Sequence, residues 1–101
     1  MKDLLYIDDL RTPCNYIQNH YNITIARTFK DAINELNKRK YKVKDLDHDL
    51  GEEKTGYDIC KYIVENQIPI NEVYIHTNNP VGKQNMYQLL HRYIDCKFII
   101  Y

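Results

Sequence analysis

Two carboxylates stand one residue apart at Asp47 and Asp49, with His48 between them, at the end of a β-compatible run that starts at Val43. Leu50 and Gly51 follow, then a polar loop to Gly56. A second acidic pair, Asp8-Asp9, closes the apolar run Leu4–Ile7, and Arg11 lies two residues further on. Carboxylates brought together repel one another unless a cation or protons compensate them. Hard oxygen donors suit Mg²⁺ or Mn²⁺, and Mg²⁺ takes one or two carboxylates, waters and a substrate phosphate. Asp8, Asp9, Asp47 and Asp49 are therefore candidate metal ligands, although Asp is common in turns and one of the first pair can serve only as a turn cap. Zinc is disfavoured, because Cys14, Cys60 and Cys96 lack ligand spacing.

The second group is suited to anions. In HTNNPVGK, His76 to Lys83, an apolar run ends in His76 and Thr77, and Asn79-Pro80 reads as a helix start. A helix N-terminus offers free backbone N–H groups and a partial positive charge. Gly82 would let an anion approach, and Lys83 adds a full charge. The G-x-x-x-x-G-K spacing of a Walker loop is absent. Arg11, Thr77, Asn79, Gly82 and Lys83 are the candidate phosphate-binding residues. Each has an ordinary alternative: Asn-Pro as a plain helix start, Lys83 as a solvated lysine, Arg11 as an ion-pair partner. His48 and His76 both end strands on the same edge, so either is a candidate acid–base group or phosphate ligand. His20 and His91 fall on helix surfaces and receive no role.

The elements that must position these groups follow from periodicity. Strands are expected at Leu4–Ile7, Ile23–Ala26, Val43–Asp47, Val73–His76 and Phe98–Tyr101. Helices are expected at Cys14–His20, from a Thr28 cap to about Lys40, at Tyr57–Asn66, and from Pro80 behind an Asn79 cap. Strict β-α alternation implies a parallel sheet with helices on both faces, doubly wound and flavodoxin-like, in strand order 2-1-3-4-5. In such a sheet the loops after strands one, three and four share one edge, where ligands bind. Gly51, Gly56 and Gly82 are all expected in loops on that edge, and none on the other.

At 101 residues the chain is expected to form one domain over residues 1–101. Lys plus Arg and Asp plus Glu number 14 each, so there is no overall pull towards bulk nucleic acid or a membrane. No apolar run approaches the roughly 20 residues of a membrane helix. The start, MKDLLYIDDL, reaches charge too soon for a signal peptide. The three unpaired cysteines suggest a reducing cytoplasm and small core side chains. The tyrosines form no stacking platform for single strands.

An acidic pair after strand one, an Asp after strand three and a Ser/Thr after strand four resemble a response-regulator receiver domain, here Asp8-Asp9, Asp47 and Thr77. The receiver's Lys after strand five has no counterpart. A closer resemblance is to the cyclic-phosphate processing receiver-like family, with blocks LDDxR, LDHDLG, TGYD and HSxNPxGR. This chain has IDDLR (Ile7–Arg11), LDHDLG (Leu46–Gly51), TGYD (Thr55–Asp58) and HTNNPVGK (His76–Lys83). Thr77 for Ser and Lys83 for Arg depart from it; a lysine loses the bidentate fork for phosphate.

The resemblance implies a receiver-like fold and a protein that binds or processes a small nucleotide or RNA-end cyclic phosphate. The expected activity is Mg²⁺- or Mn²⁺-assisted phosphoester hydrolysis, with Asp8, Asp9 and Asp47 on metal and Arg11, Thr77, Asn79, Gly82 and Lys83 on phosphate. His48, Asp49 or His76 would move protons, with water or Asp47 as nucleophile. Sequestration of a phosphate-bearing nucleotide signal without turnover is the alternative, and phosphoacceptor chemistry at Asp47 a third.

Overall fold

Alternating apolar runs and helical spacings produce five strands and four helices in the computed structural model, which describes residues 1–101. The order is β1 (Lys2–Ile7), α1 (Asn15–His20), β2 (Tyr21–Ala26), α2 (Phe29–Lys38), β3 (Val43–Leu46), α3 (Gly56–Glu65), β4 (Glu72–Ile75), α4 (Pro80–Tyr93) and β5 (Lys97–Ile100). All pairings are parallel and the sheet order is β2-β1-β3-β4-β5. This is the expected flavodoxin-like, receiver-like architecture. No helix is long and apolar enough to cross a membrane.

Period-2 alternation divides the strand residues between two cores. Leu5, Ile7, Leu46, Val73 and Ile75 join the large cluster under α2, α3 and α4. Leu4, Tyr6, Val43 and Tyr74 form a smaller cluster with Ile17, the buried residue of α1. The register aligns Ala26, Ile7, Leu46, Ile75 and Ile100 across the sheet. One step further, Asp8 N–H donates to Ala26 O, Asp47 to Ile7 O, His76 to Leu46 O and Tyr101 to Ile75 O. The row just past the ladder therefore reads Arg27, Asp8, Asp47, His76, Tyr101.

Several boundaries differ from the expected ones for local reasons. Asp47 and His76 lie just beyond their strands, where the ladder ends and the chain turns. Cys14 caps α1 and is exposed rather than a core residue; Cys60 is buried and Cys96 half-buried. Gly56 and Gly82 sit in the first turns of α3 and α4 rather than in loops. A Cβ on Gly56 would lie 1.9 Å from the Asp47 carbonyl oxygen, so only glycine lets α3 begin against the end of β3. Thr55 and Asp58 close a reciprocal capping box at that start, with Asp58 Oδ2 accepting from Thr55 N–H at 2.8 Å.

One core position breaks the apolar pattern. Lys44 is fully buried on the large-cluster face of β3. Its ammonium donates to the carbonyls of Tyr41 and Pro69. Burial pushes its pKa from 10.5 down to about 8, a cost of about 3 kcal/mol while it is charged. Between those values the unfolded chain holds a proton that the folded one has released, so this residue's contribution to stability rises with pH. The stability difference between wild type and Lys44→Met, measured by urea unfolding, is expected to move towards wild type by up to about 1.4 kcal/mol per pH unit above pH 8. Shared cysteine and tyrosine titrations cancel in the difference, and a flat difference would contradict the assignment.

Candidate functional site

The residues just past β1, β3 and β4 build the site, because parallel strands deliver their carboxyl ends to one edge. Asp8, Asp9 and Asp47 each offer a carboxylate oxygen, and these lie within 4.8 Å of one another. Asp8 and Asp47 are buried and Asp9 half-buried. The cluster lines a cleft of about 330 Å³ together with Arg11, Asp49, Gly51, Thr77 and Asn78. Hard anionic oxygens in this arrangement fit a divalent cation better than any softer metal.

The loop after β1 is fixed by its own first residue. Asp8 Oδ1 accepts the backbone N–H groups of Leu10 and Arg11, both at 2.9 Å. Arg27, just past β2, donates to the carbonyls of Asp8 at 3.2 Å and Arg11 at 2.6 Å. Arg11 extends along the cleft with its Nε 4.0 Å from Asp8 Oδ2 and its side chain 43% exposed, so the guanidinium is available to a ligand. Burial by itself would raise the Asp8 carboxyl, but the N–H groups of Arg11 and Leu10, together with His76, hold it below its usual range. Burial also raises Asp47; the Thr77 hydroxyl works against this and the Asp8 charge reinforces it, so Asp47 stays above the usual range. The two carboxyls are thus driven in opposite directions.

His76 lies beneath the cleft. Its Nε2 is 2.9 Å from Asp8 Oδ2, and its Nδ1 is hydrogen-bonded to Asp45. The ring stacks on Tyr6 with centroids 4.7 Å apart. Asp45 also accepts the Tyr101 hydroxyl at 2.5 Å. With a carboxylate on each ring nitrogen, the imidazole is satisfied when both nitrogens carry protons. Burial opposes that charge, but Asp45 and Asp8 outweigh it and hold the ring above the usual histidine range. The two carboxylates thus favour the doubly protonated ring under the cluster, and the structure does not bring His76 to the cleft surface.

His48 also departs from the expected arrangement. Its ring packs on the first turn of α4, where a Cβ on Gly82 would come within 2.4 Å of it. The space left by Gly82 accommodates this imidazole rather than an incoming anion. His48 Nδ1 is 3.0 Å from Asp49 Oδ1, and Asn79 Nδ2 donates to Asp49 Oδ2 at 3.4 Å. Asp49 is thereby held at the cleft rim by two neighbours. Asn79 Oδ1 accepts the Gly82 N–H at 2.9 Å, so that oxygen caps α4. Thr77 lines the cleft, whereas Lys83 lies in an adjoining hollow. Asp45, Arg27, Tyr6 and Tyr101 escaped the sequence reading. The signal for Asp45 was its two-residue offset from Val43, which turns it to the smaller-cluster face of β3, where His76 and Tyr101 meet it.

A model of the family described as "Cyclic-phosphate processing Receiver domain" matches residues 4–92. No curated protein matches the chain. Among solved structures, response regulator TrrA from Thermotoga maritima, in complex with Mg²⁺ and BeF, superposes with a TM-score of 0.72 at 13% identity, covering 100% of this chain and 87% of that one. A CheY-like receiver domain protein from Methanospirillum hungatei gives 0.68 at 14% identity, covering 99% and 81%. A response regulator from Burkholderia pseudomallei, with a phosphorylated aspartic acid, calcium and citrate, gives 0.69 at 14% identity. The alignment covers 99% of the present chain, which spans 59% of the Burkholderia chain's length. At these identities the likeness establishes the fold.

Two outcomes follow from the geometry. Mg²⁺ or Mn²⁺ at ten times its Kd is expected to stabilise the protein by about 1.4 kcal/mol, and Asp9→Asn to lose that response while folding at least as well without metal. An unchanged metal response in that variant, read by thermal unfolding, would remove the cluster as the binding site. His76→Ala leaves Asp8 and Asp45 buried without their cation and is expected to cost about 3–5 kcal/mol in urea unfolding.

Proposed function

The chain belongs to the cyclic-phosphate processing receiver domain family, and from that premise we propose that it is a metal-assisted phosphoesterase acting on a cyclic phosphate or cyclic nucleotide. The observation that carries this reading is three carboxylates within 4.8 Å in a cleft also lined by an arginine and a threonine. Anion-binding and cation-binding groups in one small cleft suit a phosphate that bridges them.

Asp8, Asp9 and Asp47 would hold Mg²⁺ or Mn²⁺, which would polarise a phosphoryl oxygen and offset charge developing on it. The Mg²⁺ and calcium of the two response-regulator structures support a divalent ion of this kind. Arg11 and Thr77 bind phosphate oxygens, the former by charge and the latter through its hydroxyl. Asp49, oriented by His48 and Asn79, stands at the rim as the proton carrier. A water oxygen forms a bond to phosphorus while one ring P–O bond breaks. The proton taken from water by Asp49 passes to the departing ester oxygen, leaving an acyclic phosphomonoester. His76 acts from below by offsetting part of the acidic charge.

Phosphoacceptor chemistry at Asp47 is the second reading, favoured by an aspartate just past β3 opposite Thr77 past β4. The residue past β5 is Tyr101, whose hydroxyl goes to Asp45 rather than to Asp47.

The test is incubation of the protein, with and without Mg²⁺ or Mn²⁺, with cyclic nucleotides and 2′,3′-cyclic-phosphate ends, followed by product analysis. Metal-dependent product is expected, falling at least about 10²-fold in a folded Asp47→Asn variant. Retained turnover in that variant would sink the mechanism. Ligand that binds tightly and is recovered intact would make the protein a sequestering module instead.

A further inference from the structure

Thr77 and Asn78 form one wall of the carboxylate cleft. Both residues also line a second hollow of about 510 Å³ on the far side of the β4–α4 connection, between the first turns of α4 and the end of β5. The volume falls within the roughly 300–1,000 Å³ of small-molecule sites. Its walls differ in kind from the carboxylate cleft. Tyr87 and Ile100 supply apolar surface, Gln84 and Asn78 supply amides, Lys83 supplies the cation, and no carboxylate residue lines it.

Tyr87 is braced where it stands. Its ring stacks on His91 with centroids 5.3 Å apart and meets Phe98 edge-on at 5.1 Å. An aromatic held on two sides loses little freedom when a planar ligand packs against it. Ile100 is 45% exposed, an apolar surface at the hollow with no covering residue of its own. Gln84 and Asn78 are exposed, and their amides carry both donors and acceptors, as the edge of a heteroaromatic base requires.

We propose that this hollow is the nucleobase subsite of the same active site, so that the substrate is a nucleoside cyclic phosphate and not simply a cyclic phosphate ester. The inference rests on the phosphoesterase reading. With the phosphate among Asp8, Asp9, Asp47 and Arg11, the sugar crosses Thr77 and Asn78, and the base reaches Tyr87 and Gln84. Lys83, expected beside the reacting phosphate, belongs instead to this nucleoside side.

Two compounds separate the subsite from the chemistry: adenosine 2′,3′-cyclic phosphate, and the methyl riboside 2′,3′-cyclic phosphate, which has the same ring phosphate and no base. In Mg²⁺ the full chain is expected to prefer the nucleoside by about tenfold in kcat/KM, the order of one stacked base. Gln84→Trp, a change at an exposed helix position, fills the hollow. It is expected to bring the nucleoside down to the level of the base-free compound and leave the latter within about twofold. Equal use of both compounds by wild type, or no effect of Gln84→Trp, overturns the subsite and leaves the phosphoesterase reading standing. Failure of both compounds to bind or turn over overturns both.

Discussion

Everything at the working edge depends on one buried imidazole. Asp8 follows β1, Asp45 lies in β3 and His76 follows β4, and the histidine bonds to both carboxylates at once. Without the imidazole at this point the Asp8 and Asp45 carboxylates would be buried near one another with no side chain bridging them. With it, three strand ends are tied by charge as well as by the ladder. The tie is also stiff, since the ring stacks on Tyr6 and Tyr101 secures Asp45 from the side.

This compensation is partial, and that bears on function. His76 contacts Asp8 and Asp45 but neither Asp9 nor Asp47 among its hydrogen bonds. Asp47 remains a buried carboxyl held above its usual range, and Asp9 remains open to the cleft. The proposed Mg²⁺ or Mn²⁺ would answer the acidic charge that His76 leaves uncompensated. The backbone N–H groups on Asp8, the Arg27 clamp on the following loop and the Gly56 contact all keep the carboxylates from relaxing apart.

The edge divides into three territories. Carboxylates, Arg11 and Thr77 share the cleft; His48, packed on Gly82, supports Asp49 from the α4 side; Lys83 and Tyr87 face the hollow beyond Thr77. Residues that read as one anion cradle in HTNNPVGK are thus dealt out between a helix cap, a cleft wall and a separate hollow. The i, i+3, i+4 spacing of Asn79, Gly82 and Lys83 puts them on one side of the first turn of α4, but the Asn79 oxygen caps the helix, His48 fills the space beside Gly82, and Lys83 lines the hollow.

The sequence by itself determined the strand order, the acidic pair and its partner Asp47, and the Asn79-Pro80 helix start. Each of these is set by local signals: period-2 apolar runs, β-α alternation, and residues with strong cap or turn chemistry. What only the tertiary structure decided is how side chains from distant segments meet. Asp45 drew no reading from the sequence; it acquires its role because β4 lies between β3 and β5, which lets His76 past β4 and Tyr101 past β5 both reach it. His76 looked like a proton carrier until the fold buried it between two carboxylates, away from the cleft surface. Gly82 looked like room for an anion until His48 occupied it. Long-range pairing sets these partners, and the cost of leaving a buried charge unanswered decides what each of them does.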